Sequence, residues 1–408
     1  MKGPIHIAPP DGPLRGTFRG PRSKSIANRL MMLKAFAGEA IEVPLTHDPA
    51  DIRTLYQALT SDAETVDVGM AGTAFRFMLP YLAMQAGRSS VLTGAPRMLQ
   101  RPVGPLVDAL RSLGADITYL GEEGYPPLQV RGVVLPGGSA EVDGSISSQF
   151  ASALLLAAPF MQSGLSLTLA GNLVSEPYIE MTVALLRQCG AEVSRTGAVI
   201  TVQPSAVMVP HGADEQDYSS ASYAFLLAAL RPGSRIVVPG LRPDSLQGDA
   251  VVCQLFKALG VSTRFDADGA VIEQIGAIAP DLRFDLTDCP DLAPALLAAC
   301  AGLGAEATFT GVLHLAHKES DRMMAMATEF GKMGVSLTES NGTWRISGRV
   351  RPTDEQLCTY NDHRLAMSLA PLCLSTGSVI RLDAADVVTK SFPMFWEEMI
   401  GMGFDLKD

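Results

Sequence analysis

The sequence predicts a mixed α/β protein of two domains, each containing three copies of a unit with several strands and two helices. Two observations carry this prediction: an internal repeat in which an apolar helix ends at glycine and a strand follows, and a breaker-rich segment near the middle of the chain. The chain of 408 residues is also long enough for two hydrophobic cores, since single cores stop growing beyond about 250–300 residues.

The repeat consists of an apolar helical pattern, a glycine and a short strand-like run, in that order. Glycine suits this corner because a helix often ends on a residue in the left-handed conformation. Clear copies are 109–120, 185–195, 255–265, 329–339 and 397–406, and 55–68 is a weaker first copy. The copies recur at intervals of roughly 55 to 75 residues, which is too long for a solenoid and fits several strands with two helices.

A polar, breaker-rich segment at 209–217 separates the first three copies from the last three and predicts the domain boundary. A second such stretch at 15–22 separates the first strand from the rest of the chain. We therefore expect residues 1–20 plus 215–408 to form the C-terminal domain, and residues 21–214 to form the N-terminal domain. From these patterns alone, a single α/β sheet with ordinary helix-to-strand corners is the alternative.

The composition, 47% hydrophobic and 18% charged residues, is typical of a well-packed globular protein. A net charge of −11 and an aromatic content of 6% argue against binding to nucleic acid or to an acidic membrane. No apolar run approaches the ~20 residues of a membrane span, and the first residues lack the apolar core of a signal peptide. The six cysteines form no C-x-x-C pair. We expect reduced thiols and a cytoplasmic location.

Three charged clusters lie in the last hundred residues: HKESDR at 317–322, NDHR at 361–364 and VVTKSFP at 387–393. Each precedes an apolar stretch that predicts a helix, and a helix N-terminus attracts anions through its free N–H groups and partial positive charge. The clusters place Lys318, Arg322, Arg364 and Lys390 beside Glu319, Asp362 and His363. This combination predicts an enzyme site that binds anions and transfers protons.

Charged and hydroxyl residues recur at the other predicted helix starts. Taken singly, each has an ordinary structural explanation, such as an N-cap or a charge that faces solvent. Together they predict a cleft of positive potential between two domains whose helix N-termini face each other. These residues are Lys24, Ser25, Arg29, Gly72, Thr73, Arg76, Arg101, Ser147, Ser148, Gln149, Ser175, Asp288 and Asp291.

Motifs for metals and for common cofactors are missing from the sequence. It contains no H-E-x-x-H, paired Cys/His, G-x-S-x-G or strand-linked G-x-G-x-x-G pattern. Its closely spaced histidines, His314 and His317, do not by themselves make a metal site. We therefore expect neither a metal nor a cofactor.

Nine motifs, in this order, make the chain resemble the EPSP synthase (3-phosphoshikimate 1-carboxyvinyltransferase) family over essentially its full length. They are PRSKSIANR, AGTAFR, LQRP, DGSISSQF, SEPYIEMT, DCPD, HKESDR, YNDHR and VVTKSFP. The resemblance implies the enolpyruvyl-transferase fold, an inside-out α/β barrel in which each of two domains has three βαβαββ-type repeats. It also implies an active site in the cleft between the domains.

The resemblance implies transfer of the enolpyruvyl group of phosphoenolpyruvate to the 5-hydroxyl of shikimate 3-phosphate. Its implied catalytic residues are Asp291 as proton acceptor and Glu319 as proton donor, with Lys24 and Lys390. Residues that resemble the shikimate 3-phosphate site are Lys24, Ser25, Arg29, Ser147, Ser148, Gln149, Ser175, Asp291, His314 and Lys318. Those that resemble the phosphoenolpyruvate site are Lys24, Gly72, Arg101, Gln149, Arg322, Arg364 and Lys390. The implied partners are these two small molecules, and we expect a monomer.

Three positions depart from the family pattern, and two other functions are alternatives. Met70, Phe77 and His314 stand where family members often have Asn, Pro and Asn. One alternative is the related UDP-N-acetylglucosamine enolpyruvyl transferase, which uses a cysteine on an N-domain loop, whereas the first cysteine here is Cys189. The other is a non-catalytic anion-binding relative, which would lack the proton-transfer residues that this chain retains.

Overall fold

The computed structural model describes residues 3–210, 212 and 215–408. The first two residues of the predicted C-terminal domain, and residues 211, 213 and 214 of the predicted boundary, lie outside this range. By their internal contacts the residues form two compact units. We call Met1–Ser23, His47–Pro49 and Glu215–Asp408 the C-terminal unit, and Lys24–Thr46 with Ala50–Asp214 the N-terminal unit.

The described residues form helices and strands along the whole chain. The strands are β1 Ile5–Ala8, β2 Arg15–Thr17, β3 Thr65–Asp67, β4 Ser89–Thr93, β5 Asp116–Tyr119, β6 Leu128–Arg131, β7 Gly138–Asp143, β8 Leu165–Ala170, β9 Val193–Thr196, β10 Val199–Val202, β11 Arg235–Pro239, β12 Val261–Asp266, β13 Gly269–Gln274, β14 Leu282–Asp285, β15 Ala307–Thr310, β16 Ser336–Ser340, β17 Thr343–Ser347, β18 Ile380–Leu382 and β19 Asp405–Lys407. The α-helices are α1 Lys24–Ala37, α2 Ala50–Thr60, α3 Gly72–Ala83, α4 Gly104–Ser112, α5 Ser148–Ala157, α6 Glu176–Gln188, α7 Tyr218–Leu230, α8 Val252–Lys257, α9 Ala293–Leu303, α10 Arg322–Lys332, α11 His363–Leu369, α12 Cys373–Thr376 and α13 Phe395–Gly401.

Four four-stranded sheets share one topology, in which a parallel pair of strands is followed by two antiparallel pairings. The strand orders are β3-β4-β6-β5 and β7-β8-β10-β9 in the N-terminal unit, and β2-β11-β13-β12 and β14-β15-β17-β16 in the C-terminal unit. The register of the parallel pair β7–β8, for example, aligns Ala140 with Leu167. A helix connects the parallel strands and a second helix precedes the final hairpin, as in α5 and α6. This is the βαβαββ unit, and it confirms a mixed α/β fold.

The corner glycines of the five clear copies confirm the repeat. Gly114, Gly190, Gly260, Gly334 and Gly403 have φ angles of 95°, 91°, 83°, 78° and 94°. These are left-handed angles that other residues adopt at a cost. Each of these glycines therefore ends a helix and lets a strand leave from it.

The weaker first copy differs from the others, because it has no sheet of its own among the described residues. Helix α2 is followed after residues 61–64 by β3, which pairs in parallel with β4 of the next copy. Four residues leave no room for a hairpin before β3. The N-terminal unit therefore has two sheets within the described residues. The C-terminal unit has two four-stranded sheets and a third, β18-β1-β19, in which β1 is antiparallel to both neighbours.

Apolar helices form the centre of each unit. Every residue of α7 is buried, and α7, α9 and α11 pack on one another in the C-terminal unit. In the N-terminal unit α5 packs against α3 and α6. Helices that are apolar on all sides must be enclosed, so the sheets lie outside them and expose one face, as the burial pattern of β16 shows. The helix N-termini of each unit are thereby set on a rigid, well-packed frame.

Candidate active site

A buried guanidinium, that of Arg322, is the centre of the charged cluster in the C-terminal unit. Arg322 is the first residue of α10, and Asp321 caps this helix by accepting a hydrogen bond from the Met324 amide at 3.2 Å. The Arg322 side chain is only 2% exposed. A charge this deeply buried requires oppositely charged partners.

Three carboxylates surround Arg322. Its Nε donates to Asp362 at 2.8 Å, its Nη1 to Asp291 at 3.0 Å and its Nη2 to Glu319 at 2.9 Å. Burial alone would lower the pKa of Arg322, but the charges of Asp362, Glu319 and Asp291 hold that pKa above its usual range. Arg322 is therefore permanently charged and fixes the directions of all three acids.

Three further cations contact the same acids. Arg364 Nη2 donates to Asp291 at 2.6 Å, and Lys318 Nζ lies 3.7 Å from the same carboxylate. Lys390 Nζ donates to Glu319. With Arg322, four cations and three carboxylates therefore meet in this cluster. The Asp291 side chain is 20% exposed, which leaves it accessible to a bound molecule.

His314 lies beside this cluster, on a 3₁₀ turn over Leu313–His317. Its Nε2 is buried and has no hydrogen-bond partner within the described residues. Burial, followed by the positive charge of Lys318, lowers the pKa of His314 to about 4. The ring is therefore neutral at neutral pH, and one ring nitrogen can donate a hydrogen bond to a ligand.

The N-terminus of α1 carries the first predicted cluster of the N-terminal unit. Lys24 is the first helical residue and donates to Asp51 of α2 at 3.1 Å. Ser25 follows, and its carbonyl accepts a hydrogen bond from Arg29 Nη1 at 2.8 Å. The ion pair directs the Lys24 ammonium at this helix end.

Arg29 is held by the protein itself. Its Nε donates to Thr182 at 2.7 Å, and its Nη2 donates to Ser152 at 3.1 Å and to the Tyr178 carbonyl at 3.0 Å. With the Ser25 contact, four of its five N–H groups are engaged. Burial lowers the pKa of Arg29 to about 10, so it stays charged at neutral pH. The Phe77 ring lies 5.5 Å below the guanidinium, at a position where the family pattern often has Pro.

Gly72 and Arg101 are in direct contact. A methyl group built on Gly72 would lie 2.3 Å from Nη1 of Arg101, closer than any real contact. Arg101 is 7% exposed, and its Nη1 has no hydrogen-bond partner within the part of the chain described. Nearby, Arg76 donates to the Pro102 carbonyl at 3.0 Å and so supports this segment. An unpaired buried guanidinium N–H is a strong donor for an anion.

The start of α5 presents a row of neutral polar groups. Ser147 is the N-cap and accepts a hydrogen bond from the Gln149 amide at 3.3 Å, and Ser148 is buried. Gln149 Nε2 donates to Thr73 at 3.1 Å, while its Oε1 has no partner among the described residues. The Thr73 contact orients the Gln149 amide and leaves its oxygen for a ligand hydroxyl.

Ser175 precedes α6 but does not act as the hydroxyl cap that its position suggests. Its backbone is left-handed, with φ 57° and ψ 39°, and its side chain accepts no capping hydrogen bond. A non-glycine residue in this conformation is often found at functional sites. The buried Ser175 hydroxyl is therefore not used to cap its own helix.

The predicted site residues fall into two groups. The C-terminal unit brings together Asp291, His314, Lys318, Glu319, Arg322, Arg364 and Lys390, and the N-terminal unit carries Lys24, Ser25, Arg29, Gly72, Arg101, Ser147, Ser148, Gln149 and Ser175. Two local predictions were wrong. Lys390 ends a 3₁₀ turn at Asp386–Lys390 instead of starting α13, and Arg101 follows another 3₁₀ turn, with α4 beginning only at Gly104.

Sequence reasoning included Asp362 in a charged cluster without predicting its contacts, and it assigned no role to Asp51 or Thr182. Asp362 is the closest acid to Arg322 and also caps α11, through the Arg364 amide at 2.9 Å. Asp51 pairs with Lys24, and Thr182 with Arg29. An Asp directly before an apolar helix is a recognisable N-cap signal, but pairing across more than a hundred residues, as for Thr182, leaves no local signal.

Comparison with known proteins identifies the family. Residues 46–399 match the family model of EPSP synthase (3-phosphoshikimate 1-carboxyvinyltransferase). This chain belongs to the EPSP synthase family. Among curated relatives, the 3-phosphoshikimate 1-carboxyvinyltransferase of Bacteroides fragilis is 38% identical over 97% of both chains. That of Methanoculleus marisnigri is 36% identical over 96% of this chain and 98% of its own length.

Solved structures agree on the fold of this EPSP synthase family member. An EPSP synthase structure from Acinetobacter baumannii superimposes with a TM-score of 0.75 and covers 100% of both chains at 24% identity. The family match favours EPSP synthase over the UDP-N-acetylglucosamine enolpyruvyl transferase alternative. Within residues 3–210, 212 and 215–408, no helix has the length and apolar character that membrane crossing demands, and no group of three or more His, Cys, Asp or Glu is placed to hold a metal.

Proposed function

We propose that this chain transfers the enolpyruvyl group of phosphoenolpyruvate to the 5-hydroxyl of shikimate 3-phosphate and releases phosphate. The observation that carries the proposal is the cluster around Arg322, in which four cations and three carboxylates converge. Such a cluster can neutralise a substrate with a carboxylate and a phosphate, and it also contains groups that exchange protons.

The cationic residues bind phosphoenolpyruvate in this proposal. Guanidinium groups match carboxylate and phosphate oxygens in pairs, and ammonium groups add charge. Arg101 is the strongest support, because its buried Nη1 lacks a protein acceptor among the described residues. The phosphoenolpyruvate residues are Lys24, Gly72, Arg101, Gln149, Arg322, Arg364 and Lys390. These residues lie in both units. The proposal keeps the domain bounds predicted from the sequence, 1–20 plus 215–408 and 21–214.

Hydroxyl and amide groups bind shikimate 3-phosphate in this proposal. Its ring hydroxyls need neutral donors and acceptors, which Ser147, Gln149 and Ser175 offer, and its phosphate needs cations. The orphaned Nε2 of His314 and the unpaired Oε1 of Gln149 support this assignment. The shikimate 3-phosphate residues are Lys24, Ser25, Arg29, Ser147, Ser148, Gln149, Ser175, Asp291, His314 and Lys318.

The reaction proceeds in two steps that share the same acids. In the addition step the 5-oxygen attacks C2 of phosphoenolpyruvate, Asp291 accepts the hydroxyl proton, and the Glu319–Lys390 pair supplies a proton, carried on Lys390, to the methylene carbon. In the elimination step the Glu319–Lys390 pair takes a proton from the new methyl group, the double bond forms again, and the bond between C2 and the phosphate oxygen breaks. The departing phosphate takes the proton that Asp291 holds. Each positioned acid or base contributes about 10²–10⁴-fold to rate.

We propose that the chain acts as a cytoplasmic monomer. The six cysteines carry free thiols, as expected in a reducing compartment. Both groups of proposed site residues come from one chain, so the reaction needs no residue from a second copy. Sedimentation at micromolar concentration measures the oligomeric state, and a stable dimer would contradict the monomer proposal.

The experiment measures phosphate release from shikimate 3-phosphate and phosphoenolpyruvate in a chelator-containing buffer. We expect turnover by the wild type, and a loss of about 10²–10⁴-fold in kcat for Asp291→Asn. Asp281→Asn is the control, because Asp281 is an exposed residue of the same unit that pairs with surface Arg283. No release by the wild type would refute the function. Near-normal turnover by Asp291→Asn would remove Asp291 from its role, and release with UDP-N-acetylglucosamine instead would support the alternative.

A further inference from the structure

A buried acid outside the proposed site, Glu329, lies on the same helix as Arg322. Seven residues along α10 amount to about two turns, so both side chains leave the same face of the helix about 10 Å apart. Glu329 is fully buried, with 0% of its side chain exposed. None of the proposed substrate contacts or proton transfers uses this residue.

The Glu329 carboxylate accepts hydrogen bonds from three donors. Lys332 Nζ lies 2.7 Å and the Cys358 amide 2.9 Å from Oε2, and the Tyr360 hydroxyl lies 2.8 Å from Oε1. Burial, followed by the hydrogen bond to Glu329, raises the pKa of Tyr360 to about 12. The phenol therefore stays protonated and remains a donor. Two of these contacts reach one short segment, residues 358–360.

This segment has an unusual backbone. Tyr360 and Asn361 are consecutive and both have φ of 54°. The left-handed conformation costs about 1–2 kcal/mol for a residue such as tyrosine, so surrounding contacts must maintain it at Tyr360. The Thr359 amide donates to Asp383 at 2.8 Å, and the Asp362 amide donates to the Thr359 carbonyl at 2.8 Å. Glu329 contacts both Cys358 and Tyr360, and Lys332 Nζ also lies 3.9 Å from the Cys358 sulfur.

Asp362 follows this segment after Asn361. It orients two of the residues proposed to bind phosphoenolpyruvate. It accepts from Arg322 Nε at 2.8 Å and from the Arg364 amide at 2.9 Å. Helix α10 thus holds residues 358–362 at two points, with Arg322 at Asp362 and Glu329 at Cys358 and Tyr360. A shift of the segment moves Asp362, and with it both arginines.

We infer that Glu329 is a positioning residue for phosphoenolpyruvate binding, acting through Tyr360 and Asp362 on Arg322 and Arg364. The inference deepens the proposed function and rests on it for its kinetic consequence. The structural part, that Glu329 maintains the conformation of residues 358–362, does not depend on which reaction the protein catalyses.

The principal variant is Glu329→Gln. It keeps the shape of the side chain but replaces one acceptor oxygen with an NH₂ group, which then faces a hydrogen-bond donor. We expect kcat/KM for phosphoenolpyruvate to fall about tenfold, with a change below about threefold in KM for shikimate 3-phosphate. Tyr360→Phe removes one of the three contacts and is mild enough to fold, so we expect about a threefold fall. The control is Ile272→Val in β13, a fully buried position outside residues 358–362, where the substitution costs about 0.5–1.5 kcal/mol of stability.

Hydrogen exchange provides a readout that is independent of turnover. In Glu329→Gln and Tyr360→Phe we expect at least about tenfold faster exchange of the Cys358 and Arg364 amides, corresponding to ~1.4 kcal/mol of lost protection. Ile272→Val should leave both amides unchanged. Unchanged exchange in Glu329→Gln, or faster exchange with unaltered phosphoenolpyruvate kinetics, would overturn the inference. An inactive wild type with the expected exchange pattern would instead refute the proposed function and keep the structural role of Glu329.

Discussion

Single contacts decide the geometry of the site at the residue scale, and Gly72 with Arg101 is the tightest of them. The Arg101 guanidinium occupies the space that any larger side chain at Gly72 would need. Because the guanidinium is the end of a flexible side chain, it can move, but only away from the position in which it presents its buried Nη1. Gly72 thereby determines where this donor lies.

Replacing Gly72 with alanine should weaken phosphoenolpyruvate binding more than it weakens folding. We expect KM for phosphoenolpyruvate to rise about tenfold, or ~1.4 kcal/mol of lost binding, because the added methyl group would lie 2.3 Å from Arg101 Nη1. Steady-state kinetics test this. Gly401→Ala in α13 is the control, since nothing lies within 4 Å of its added methyl group. Equal KM values for Gly72→Ala and the wild type would contradict the prediction.

Asp249 is a second residue at this scale, and its surroundings change its pKa. It lies in a 3₁₀ turn over Gly248–Val251, is 2% exposed and accepts a hydrogen bond from Ser219. Burial, followed by repulsion from Asp291, raises its pKa to about 7. A carboxyl group whose folded pKa is raised binds its proton more tightly in the folded state. Its contribution to stability is complete below the unfolded pKa, near 4, and is lost as pH rises through about 7.

Asp249→Asn should therefore gain stability relative to the wild type as the pH rises from 4 to 7. The gain is at most about 4 kcal/mol, at ~1.4 kcal/mol per pH unit across that window. Urea unfolding at several pH values measures it, and Asp281→Asn is the control for loss of an exposed surface carboxylate. A pH-independent difference for Asp249→Asn would show that Asp249 is already ionised at pH 5.

At the scale of elements, the N-terminus of α11 does more than attract anions. Asp362 caps α11 with one carboxylate oxygen and holds Arg322 and Ser320 with the other. A cap and a buried ion pair thus share one side chain. This couples the N-termini of α10 and α11, the two helices that carry Arg322 and Arg364.

Two substitutions separate these roles of Asp362. Asp362→Asn keeps an oxygen for the cap but leaves Arg322 without its nearest charge partner, which should cost about 3 kcal/mol of unfolding free energy. Asp362→Ala also removes the cap and should cost about 1 kcal/mol more. Urea denaturation compares them. If the alanine variant were as stable as the asparagine variant, the cap would contribute nothing.

At the scale of the whole molecule, much of the architecture was predictable from local patterns. The five glycine corners marked real helix ends, because glycine at a helix C-terminus reflects a backbone conformation that depends on a few neighbouring residues. The weaker first copy was the place where the repeat prediction departed from the structure. Its strand β3 pairs with β4, and strand pairing depends on distant residues that a local pattern does not contain.

The charged residues likewise were predictable in part. The charged clusters at 317–322 and 361–364, which the sequence showed separately, do meet around Arg322. The positions of Lys390 and Arg101 relative to their helices were mispredicted by a few residues. A 3₁₀ turn and the first turn of an α-helix have similar sequence preferences, and packing decides between them.

The order of residues alone determined the mixed α/β class and the family, and it supplied the charged groups of the proposed site. Those conclusions depend on short motifs and on periodicity, which are local properties of the chain. Only the tertiary structure decided which groups meet: that Asp362 holds Arg322, that Thr182 holds Arg29, and that Glu329 supports a left-handed pair of residues before the site. These contacts join residues that are 31 to 153 positions apart, and the packing of buried helices, which brings such distant residues together, is not encoded in any one segment.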